Sequence, residues 1–258
     1  MAFLTFFGTS DARGVPRMMC DCPVCHSSHP MNQRMRPGVA IQTDHGTTLV
    51  DITPDFRNQF LRYGNKTIPP LTLITHAHND HIGGIGDYAD LCYWNKVAPT
   101  IVSPADIIAL VAQRYPYLIN ARGMEFVAAE HWHLDDWDVS FHRVNHGANG
   151  YAYGIRFQGK SGTWAYIPDS FQVESQQLAA FRELDLLILG TAYWHEKIDP
   201  AQRSIYDVQE ALVLKEELDI QKMALTHLSH DIDLAVRHHE LPAHVEFAFD
   251  GMQLPLPI

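Results

Sequence analysis

Short apolar runs, each ended by turn-forming residues, recur along the chain and predict β-strands. Residues 3–7 form one such run before a glycine, and residues 39–42 and 47–52 flank Asp44-His45-Gly46. The latter two runs predict a hairpin with a tight, Gly-containing turn. Further strands are predicted by the apolar runs at residues 71–75, 100–102, 139–144, 151–157, 162–167, 184–189 and 222–226.

Two segments between these runs predict helices. Residues 104–115 follow Ser103, a candidate N-cap, and place Pro104 at the first helical position. A second helix is predicted at about residues 206–218. Strand-rich halves with helices between them indicate two packed sheets with helices outside. Because no repeat, low-complexity tract or linker interrupts the pattern, we expect a single domain over residues 1–258.

Charge and hydropathy restrict the class of protein. Thirty acidic residues against 19 basic ones give a formal net charge of −11. This sign disfavours non-specific binding to nucleic acid or anionic lipid. No apolar stretch is long enough to span a bilayer, and the apolar start, residues 1–8, is too short for a signal peptide. We therefore expect a cytoplasmic protein that acts on neither nucleic acid nor membranes.

The densest group of candidate metal ligands follows the predicted strand that ends at Thr75. Three histidines and an aspartate stand within six residues, as His76, His78, Asp80 and His81. Imidazole and carboxylate groups are natural ligands for zinc, manganese or iron. His76 and His78 are spaced to hold one ion, and Asp80 and His81 can turn towards a second. A polar loop with surface histidines is the alternative, but this grouping after a strand favours a metal site.

The pattern His76-x-His78-x-Asp80-His81 resembles the signature of the metallo-β-lactamase superfamily. Segments similar to its other conserved parts occur between residues 3 and 251, nearly the whole chain. They are Leu49-Val50-Asp51, Asn145-His146-Gly147, Ile167-Pro168-Asp169-Ser170 and Ala224-Leu225-Thr226-His227.

The resemblance implies an α+β fold, a four-layer αββα sandwich, with two metal ions in the cleft between the sheets. It implies that Asp169 bridges the ions and that Asp51 supports the motif loop from behind. His142 competes with His146, but its position inside a predicted strand makes it the weaker candidate. The implied ligands are His76, His78 and His146 for one ion, and Asp80, His81 and His227 for the other.

Three cysteines lie within six residues and indicate which subgroup of the superfamily the chain resembles. Cys20, Cys22 and Cys25 supply three thiolates, and tetrahedral structural zinc needs a fourth ligand. His230 stands three residues after His227, while His26 and His29 are alternatives. A zinc-pinned loop at residues 20–25 is therefore expected rather than a disulfide. The Cys cluster, Gly8-Thr9-Ser10, Gly14-Val15-Pro16, Thr226-His227-Leu228-Ser229-His230 and the ending Phe249-Asp250-Gly251-Met252 together resemble the PhnP family.

PhnP-like enzymes are phosphodiesterases acting on cyclic ribose phosphates, so the resemblance implies a small phosphodiester substrate and two divalent ions, zinc or manganese, that activate water. The chain departs from that family at residues 203–207, where no histidine stands. His195 is a substitute proton donor or a solvated loop residue, and Asp80 is a second proton carrier. Arg203 is a candidate phosphate contact or an ordinary surface arginine.

Other functions of the same fold stay open at this point. Metallo-β-lactamase-like proteins also hydrolyse esters, thioesters and lactones, and the related protein PqqB is sometimes regarded as a non-catalytic accessory protein. Processing of RNA ends is a third possibility, but the acidic balance and the lack of an evident basic extension for RNA docking argue against it. A homodimer is compatible with the sequence.

Overall fold

Two mixed β-sheets form the centre of the molecule in the computed structural model, which describes residues 2–119 and 123–258. The strands, in chain order, are β1 (Phe3–Gly8), β2 (Gly38–Thr43), β3 (Gly46–Val50), β4 (Leu71–Leu73), β5 (Thr100–Ser103), β6 (Glu125–Ala128), β7 (His131–Leu134), β8 (Trp137–Asn145), β9 (Tyr151–Gln158), β10 (Thr163–Ile167), β11 (Leu186–Gly190), β12 (Lys222–Thr226), β13 (Val245–Phe247) and β14 (Gln253–Pro255).

The two sheets have matching topologies. In the described chain each contains seven strands, in the orders β14-β1-β2-β3-β4-β5-β6 and β13-β12-β11-β10-β9-β8-β7. In the first sheet β14 to β3 pair antiparallel and β3 to β6 parallel. In the second, β13 to β10 pair parallel and β10 to β7 antiparallel. The parallel strands of both sheets therefore present their carboxyl ends as platforms for ligands.

Side-chain alternation in β10 shows how the layers stack. Trp164 and Tyr166 lie in the core between the sheets, whereas Ala165 and Ile167 lie in a second core beneath the outer helix at residues 208–217. Successive side chains of a strand point to opposite faces, so a strand buried on both faces is apolar at every position. This explains why the run at residues 162–167 is continuous rather than alternating.

Helices cover the outer faces and complete the four-layer αββα sandwich predicted from the resemblance. Among the described residues none is long enough to cross a bilayer. The helices are α1 (Pro23–His26), α2 (Phe56–Tyr63), α3 (Asn79–Ile82), α4 (Ile85–Trp94), α5 (Ala105–Arg114), α6 (Ser175–Leu178), α7 (Val208–Glu217) and α8 (Leu234–Arg237).

The predicted start of α5 is wrong by one residue. Pro104, not Ser103, is the N-cap, and the helix begins at Ala105. Ser103 ends β5, and its hydroxyl donates to the Ile74 carbonyl at 2.7 Å. The hydroxyl thus joins the end of β5 to the residue that follows the neighbouring strand β4, a contact that local sequence does not reveal. The hairpin at β2 and β3 is confirmed.

Candidate metal centre

Strand ends from both sheets bring the predicted ligands to one cleft. Asp51 directly follows β3, His146 directly follows β8, Asp169 lies just beyond β10, and His227 directly follows β12. Asp51 and His227 have left-handed backbones, with φ of 65° and 60°. Non-glycine residues adopt this region at a cost that surrounding contacts must offset, and such positions concentrate at functional sites.

A first cluster contains His76, His78, His146 and Asp169. Asp169 Oδ2 lies 3.4 Å from His76 Nε2 and 3.1 Å from His146 Nε2. His76 Nε2 lies 2.9 Å from His78 Nδ1. Ligand atoms about 2.0–2.1 Å from a tetrahedral zinc ion are themselves about 3.3 Å apart. The spacing of these nitrogen and oxygen atoms therefore fits one divalent ion.

A second cluster shares Asp169 and adds Asp80, His81 and His227. Asp80 Oδ2 lies 3.3 Å from His81 Nε2 and 3.4 Å from His227 Nε2. Asp169 Oδ1 lies 3.1 Å from His227 Nε2, and Asp169 Oδ2 lies 3.6 Å from His81 Nε2. Asp169 thus contacts both clusters: Oδ2 lies near ligand atoms of each, and Oδ1 faces His227.

Burial and charge define the chemistry of this donor set. Burial and the neighbouring His81 lower the pKa of His76 to about 3, so His76 is neutral, as a metal ligand must be. Burial alone would raise the pKa of Asp169, but the surrounding imidazoles outweigh it and lower the pKa well below the usual range. For His81 the balance is the opposite. Burial alone would lower its pKa, but Asp80 and the other nearby carboxylates outweigh burial and raise the pKa above its usual value. The Asp169 carboxylate is therefore ionised and requires positive charge nearby.

Several polar atoms of the second cluster lack hydrogen bonds. Among the described residues, His81 Nε2, Asp169 Oδ1 and His227 Nε2 are buried and have no hydrogen-bond partner. Unsatisfied buried polar atoms are costly and rare in folded proteins. All three point into the cluster, so a bound cation would satisfy them together. The donor set therefore fits a divalent metal.

Asp51 lies behind the second cluster, in contact with His81. Its Oδ2 accepts a hydrogen bond from His81 Nδ1 at 2.7 Å. Asp51 Oδ1 accepts a hydrogen bond from the Thr75 backbone N–H at 2.8 Å, and Oδ2 accepts one from the Thr75 hydroxyl at 2.8 Å. A carboxylate on the far nitrogen of a ligating histidine orients the ring and raises its basicity. Asp51 thereby joins His81 to the strand end that precedes His76.

In the first cluster, a backbone carbonyl rather than a carboxylate orients the cluster histidine His146. His146 Nδ1 donates to the Ser204 carbonyl at 2.6 Å, across 58 residues of chain. The backbone N–H of Ala148 donates to the Arg203 carbonyl at 2.9 Å. Residues 203 and 204, where the family resemblance led us to seek a histidine, therefore position His146 through backbone atoms.

Arg203 is buried, which contradicts its interpretation as a surface arginine. Its guanidinium bonds Glu196 at 3.0 Å and Glu210 at 2.6 Å. It also lies over the Phe171 ring, 4.4 Å from the centroid. Because these partners occupy it, Arg203 shapes the wall of the cavity and is poorly placed to bind phosphate as well.

His195 lies at the margin of the site. Its side chain is 59% exposed, and Nδ1 pairs with Asp207 Oδ2 at 3.2 Å. Its neighbours Tyr193 and Glu196 line the cavity next to the clusters, whereas His195 is not among the lining residues. Its role as proton donor stays a prediction. His142 hydrogen-bonds Ser140 within β8 and does not belong to either of the two described clusters.

The three cysteines converge on His230. Its Nδ1 lies 3.2 Å from the Cys20 sulfur and 3.4 Å from the sulfurs of both Cys22 and Cys25. Ligand atoms of a tetrahedral zinc with three thiolates and one imidazole are about 3.5 Å apart. His26 and His29, the alternative fourth ligands, are absent from this described cluster. The geometry therefore favours His230 as the fourth member.

The cavity of about 290 Å³ beside the clusters contains residues that sequence reasoning missed. His78, Asp80, Asp169 and His227 contribute to its floor, and Asp11 and Arg13 belong to its wall. In the sequence, the loop at residues 9–16 contributed only to the family resemblance, and neither Asp11 nor Arg13 was a candidate site residue. The loop's proximity to residues 227–230 depends on pairing between distant segments, such as the Asp11 backbone N–H with the Leu228 carbonyl at 3.2 Å.

Comparison with known proteins gives a consistent picture. A family model described as "Beta-lactamase superfamily domain" matches residues 47–228. A crystal structure described as a new diphosphatase from the PhnP family is similar, with 29% identity, coverage of 100% of this chain and 99% of that chain, and a TM-score of 0.88.

More distant structures share the fold. Zinc-bound PqqB from Methylobacterium extorquens is 17% identical, with 98% of this chain and 100% of that chain covered and a TM-score of 0.78. The short form of human tRNase Z is 17% identical, with 99% and 100% covered and a TM-score of 0.71. A curated relative, an octanoyltransferase of Porphyromonas gingivalis strain W83, is 27% identical over 95% of this chain. The chain spans about half the length of that relative.

Proposed function

The chain belongs to the metallo-β-lactamase superfamily, and from this premise we propose that it is a two-metal hydrolase of small phosphodiesters or diphosphates. The observation that carries the proposal is the shared carboxylate of Asp169. It stands between two His/Asp clusters whose ligand atoms have the mutual spacing of metal ligands. Paired metal sites of this kind suit displacement at phosphorus.

We assign His76, His78 and His146 to one ion, and Asp80, His81 and His227 to the other, with Asp169 contacting both. Two divalent ions would lower the pKa of a water molecule and neutralise charge on phosphoryl oxygens. Zinc and manganese both suit these donors.

The remaining chemistry is assigned to side chains around the clusters. Asp51 holds His81 with its far nitrogen protonated, so that Nε2 is free to bind a metal ion. The Asp80 carboxylate lines the cavity and is able to take a proton from water and return it to the departing oxygen. His195 is a second candidate for protonating the leaving group if its exposed side chain turns inward.

The substrate class rests on one similar solved structure. That protein is described as a diphosphatase of the PhnP family and is 29% identical along the full chain. A cavity of about 290 Å³ suits a small molecule. We therefore favour a compact phosphate ester as substrate over RNA.

We also propose that Cys20, Cys22, Cys25 and His230 hold a structural zinc ion. Three thiolates and one imidazole form a closed tetrahedral set with no position left for substrate. Since His230 lies three residues beyond His227, this ion would fasten the Cys loop to the strand end that carries a ligand of the second cluster.

One observation favours a second candidate function. The curated relative is named octanoyltransferase, which points to acyl chemistry, and metal pairs of this superfamily also serve ester, thioester and lactone hydrolysis. The named activity belongs to a protein of about twice the length, so it can reside in the part that this chain does not cover. Phosphodiester hydrolysis therefore remains the favoured proposal.

The test compares hydrolysis of bis(p-nitrophenyl) phosphate, an octanoyl thioester and a lactone by protein loaded with zinc or manganese. We expect phosphodiester hydrolysis to exceed the other two activities and to disappear in His78→Ala and Asp169→Ala. His142→Ala is the matched control, because this histidine lies in β8 outside both clusters and should leave the rate unchanged. Phosphodiesterase activity that survives both cluster substitutions would refute the two-metal assignment.

A further inference from the structure

Two arginines of the described chain line the cavity, and they differ in whether an acidic side chain pairs with them. Arg203 is paired with Glu196 and Glu210 and is buried. Arg13 is exposed and, within residues 2–119 and 123–258, is the cavity-lining cation that makes no ion pair. An unpaired guanidinium beside a cleft in a chain of net charge −11 is a local attraction for an anion. Its planar fork matches the oxygens of phosphate or carboxylate.

Arg13 also differs in depth from the metal clusters. The side chains of Asp169 and His227 are about 3% exposed, whereas Arg13 lies at the solvent-facing rim. A group bound at the clusters would be held at the floor of the cavity. The guanidinium at the rim is therefore placed to contact a different part of the same ligand.

Asp11 fixes the backbone at this position. Its Oδ1 accepts the Arg13 backbone N–H at 3.1 Å. The Asp11 backbone N–H donates to the carbonyl of Leu228, the residue after His227. The segment from Asp11 to Arg13 is thus held by two hydrogen bonds. One lies within the segment, and the other joins it to the residue after His227.

Arg17 occupies the acidic side chain that stands two residues before Arg13. Its guanidinium pairs with Asp11 Oδ2, and both side chains are at most 10% exposed. Without Arg17, the Asp11 carboxylate would be an unpaired anion two residues from Arg13 and open to pairing with that guanidinium. The backbone N–H of Arg17 donates to the Cys25 sulfur at 3.3 Å, so the Cys loop holds Arg17 in place.

We propose that Arg13 binds a second negatively charged group of the substrate at the cavity rim, and that Arg17 is the positioning residue that keeps Arg13 available by occupying Asp11. The inference rests on the proposed function and narrows it. The substrate class is a phosphodiester or diphosphate that carries a further phosphate or carboxylate, rather than one with a single charge.

Isothermal titration calorimetry with two matched probes tests this assignment on the metal-loaded protein. Thymidine 3′,5′-bisphosphate and thymidine 5′-monophosphate differ by one phosphate. Charge-assisted hydrogen bonds of this kind change affinity by roughly 10- to 100-fold, so the wild type should prefer the bisphosphate by such a factor. Arg13→Gln should bring the ratio close to one, and Arg13→Lys should restore part of it. Arg17→Gln should lower the ratio several-fold without removing Arg13.

Arg114→Gln is the matched control, since this exposed arginine on α5 does not line the cavity and should leave the ratio unchanged. Equal affinity of the wild type for the two probes, or an unchanged ratio in Arg13→Gln, would overturn the assignment. Hydrolysis of bis(p-nitrophenyl) phosphate by the wild type is measured separately. Absence of that hydrolysis with an Arg13-dependent ratio would reject the proposed reaction while retaining the anion site.

Discussion

Replacing Asp51 by asparagine should weaken metal binding without unfolding the protein. The carboxylate receives hydrogen bonds from His81 Nδ1 at 2.7 Å, from the Thr75 N–H at 2.8 Å and from the Thr75 hydroxyl at 2.8 Å. Asparagine has nearly the same shape but only one accepting oxygen and no charge. His81 or Thr75 must therefore lose its bond. Because the side chain is fully buried, removal of its charge also removes a desolvation cost, which offsets part of the lost bonding.

The expected magnitude follows from the bond that orients His81. A hydrogen bond to a charged group contributes about 1.5–3 kcal/mol, which corresponds to roughly a 10- to 100-fold change in affinity. Loss of a carboxylate behind a metal-ligating histidine has effects of the same size. Metal affinity would be measured by competition with a chromogenic chelator, and folding by circular dichroism.

An exposed pair of the same chemistry provides the control. His133 Nδ1 lies 3.1 Å from Asp138 Oδ1, with side chains 71% and 86% exposed. Asp138→Asn should therefore leave metal affinity unchanged. If Asp51→Asn remains folded and binds metal within twofold of the wild type, the supporting role of Asp51 is refuted.

Further substitutions test other parts of the structure. Burial raises the pKa of Asp250 to about 7, so its stabilising contribution is complete below about pH 4 and is lost as the pH rises to about 7. Asp250→Asn should flatten the accompanying fall in the free energy of unfolding, measured by urea denaturation; equal slopes in both proteins would contradict this. Gly147→Ala places a Cβ 2.2 Å from the Arg203 carbonyl oxygen at a φ of +55°, whereas Gly150→Ala, at a φ of +93°, meets open space. The first should cost about 1–2 kcal/mol more than the second in urea unfolding, and equal losses would contradict the close approach. Cys22→Ser should remove about one zinc per chain by elemental analysis and lower the melting temperature by ~5–10 °C; retention of the full zinc content would count against the Cys/His site.

Local sequence determined the chemistry of the site and most of its secondary structure. His76 to His81 stand together because one loop carries them, so their grouping is visible without a fold. The apolar runs also located β8, β9, β10 and β12 within about two residues, since alternation or continuous apolarity is a local property of a strand. The resemblance then supplied Asp51, His146, Asp169 and His227, whose convergence in the cleft the structure describes.

Only the tertiary structure decided how that chemistry is supported and surrounded. Ser103 was interpreted as a helix cap, but its hydroxyl donates to the Ile74 carbonyl just after the neighbouring strand β4. Arg203 is a buried wall residue, and the Ser204 carbonyl holds His146 from 58 residues away. Arg13 reaches the cavity because the segment that carries it pairs with the one after His227. Periodicity and residue type report on a few neighbouring positions, whereas these contacts exist only once the two sheets pack and bring their strand ends to a common edge.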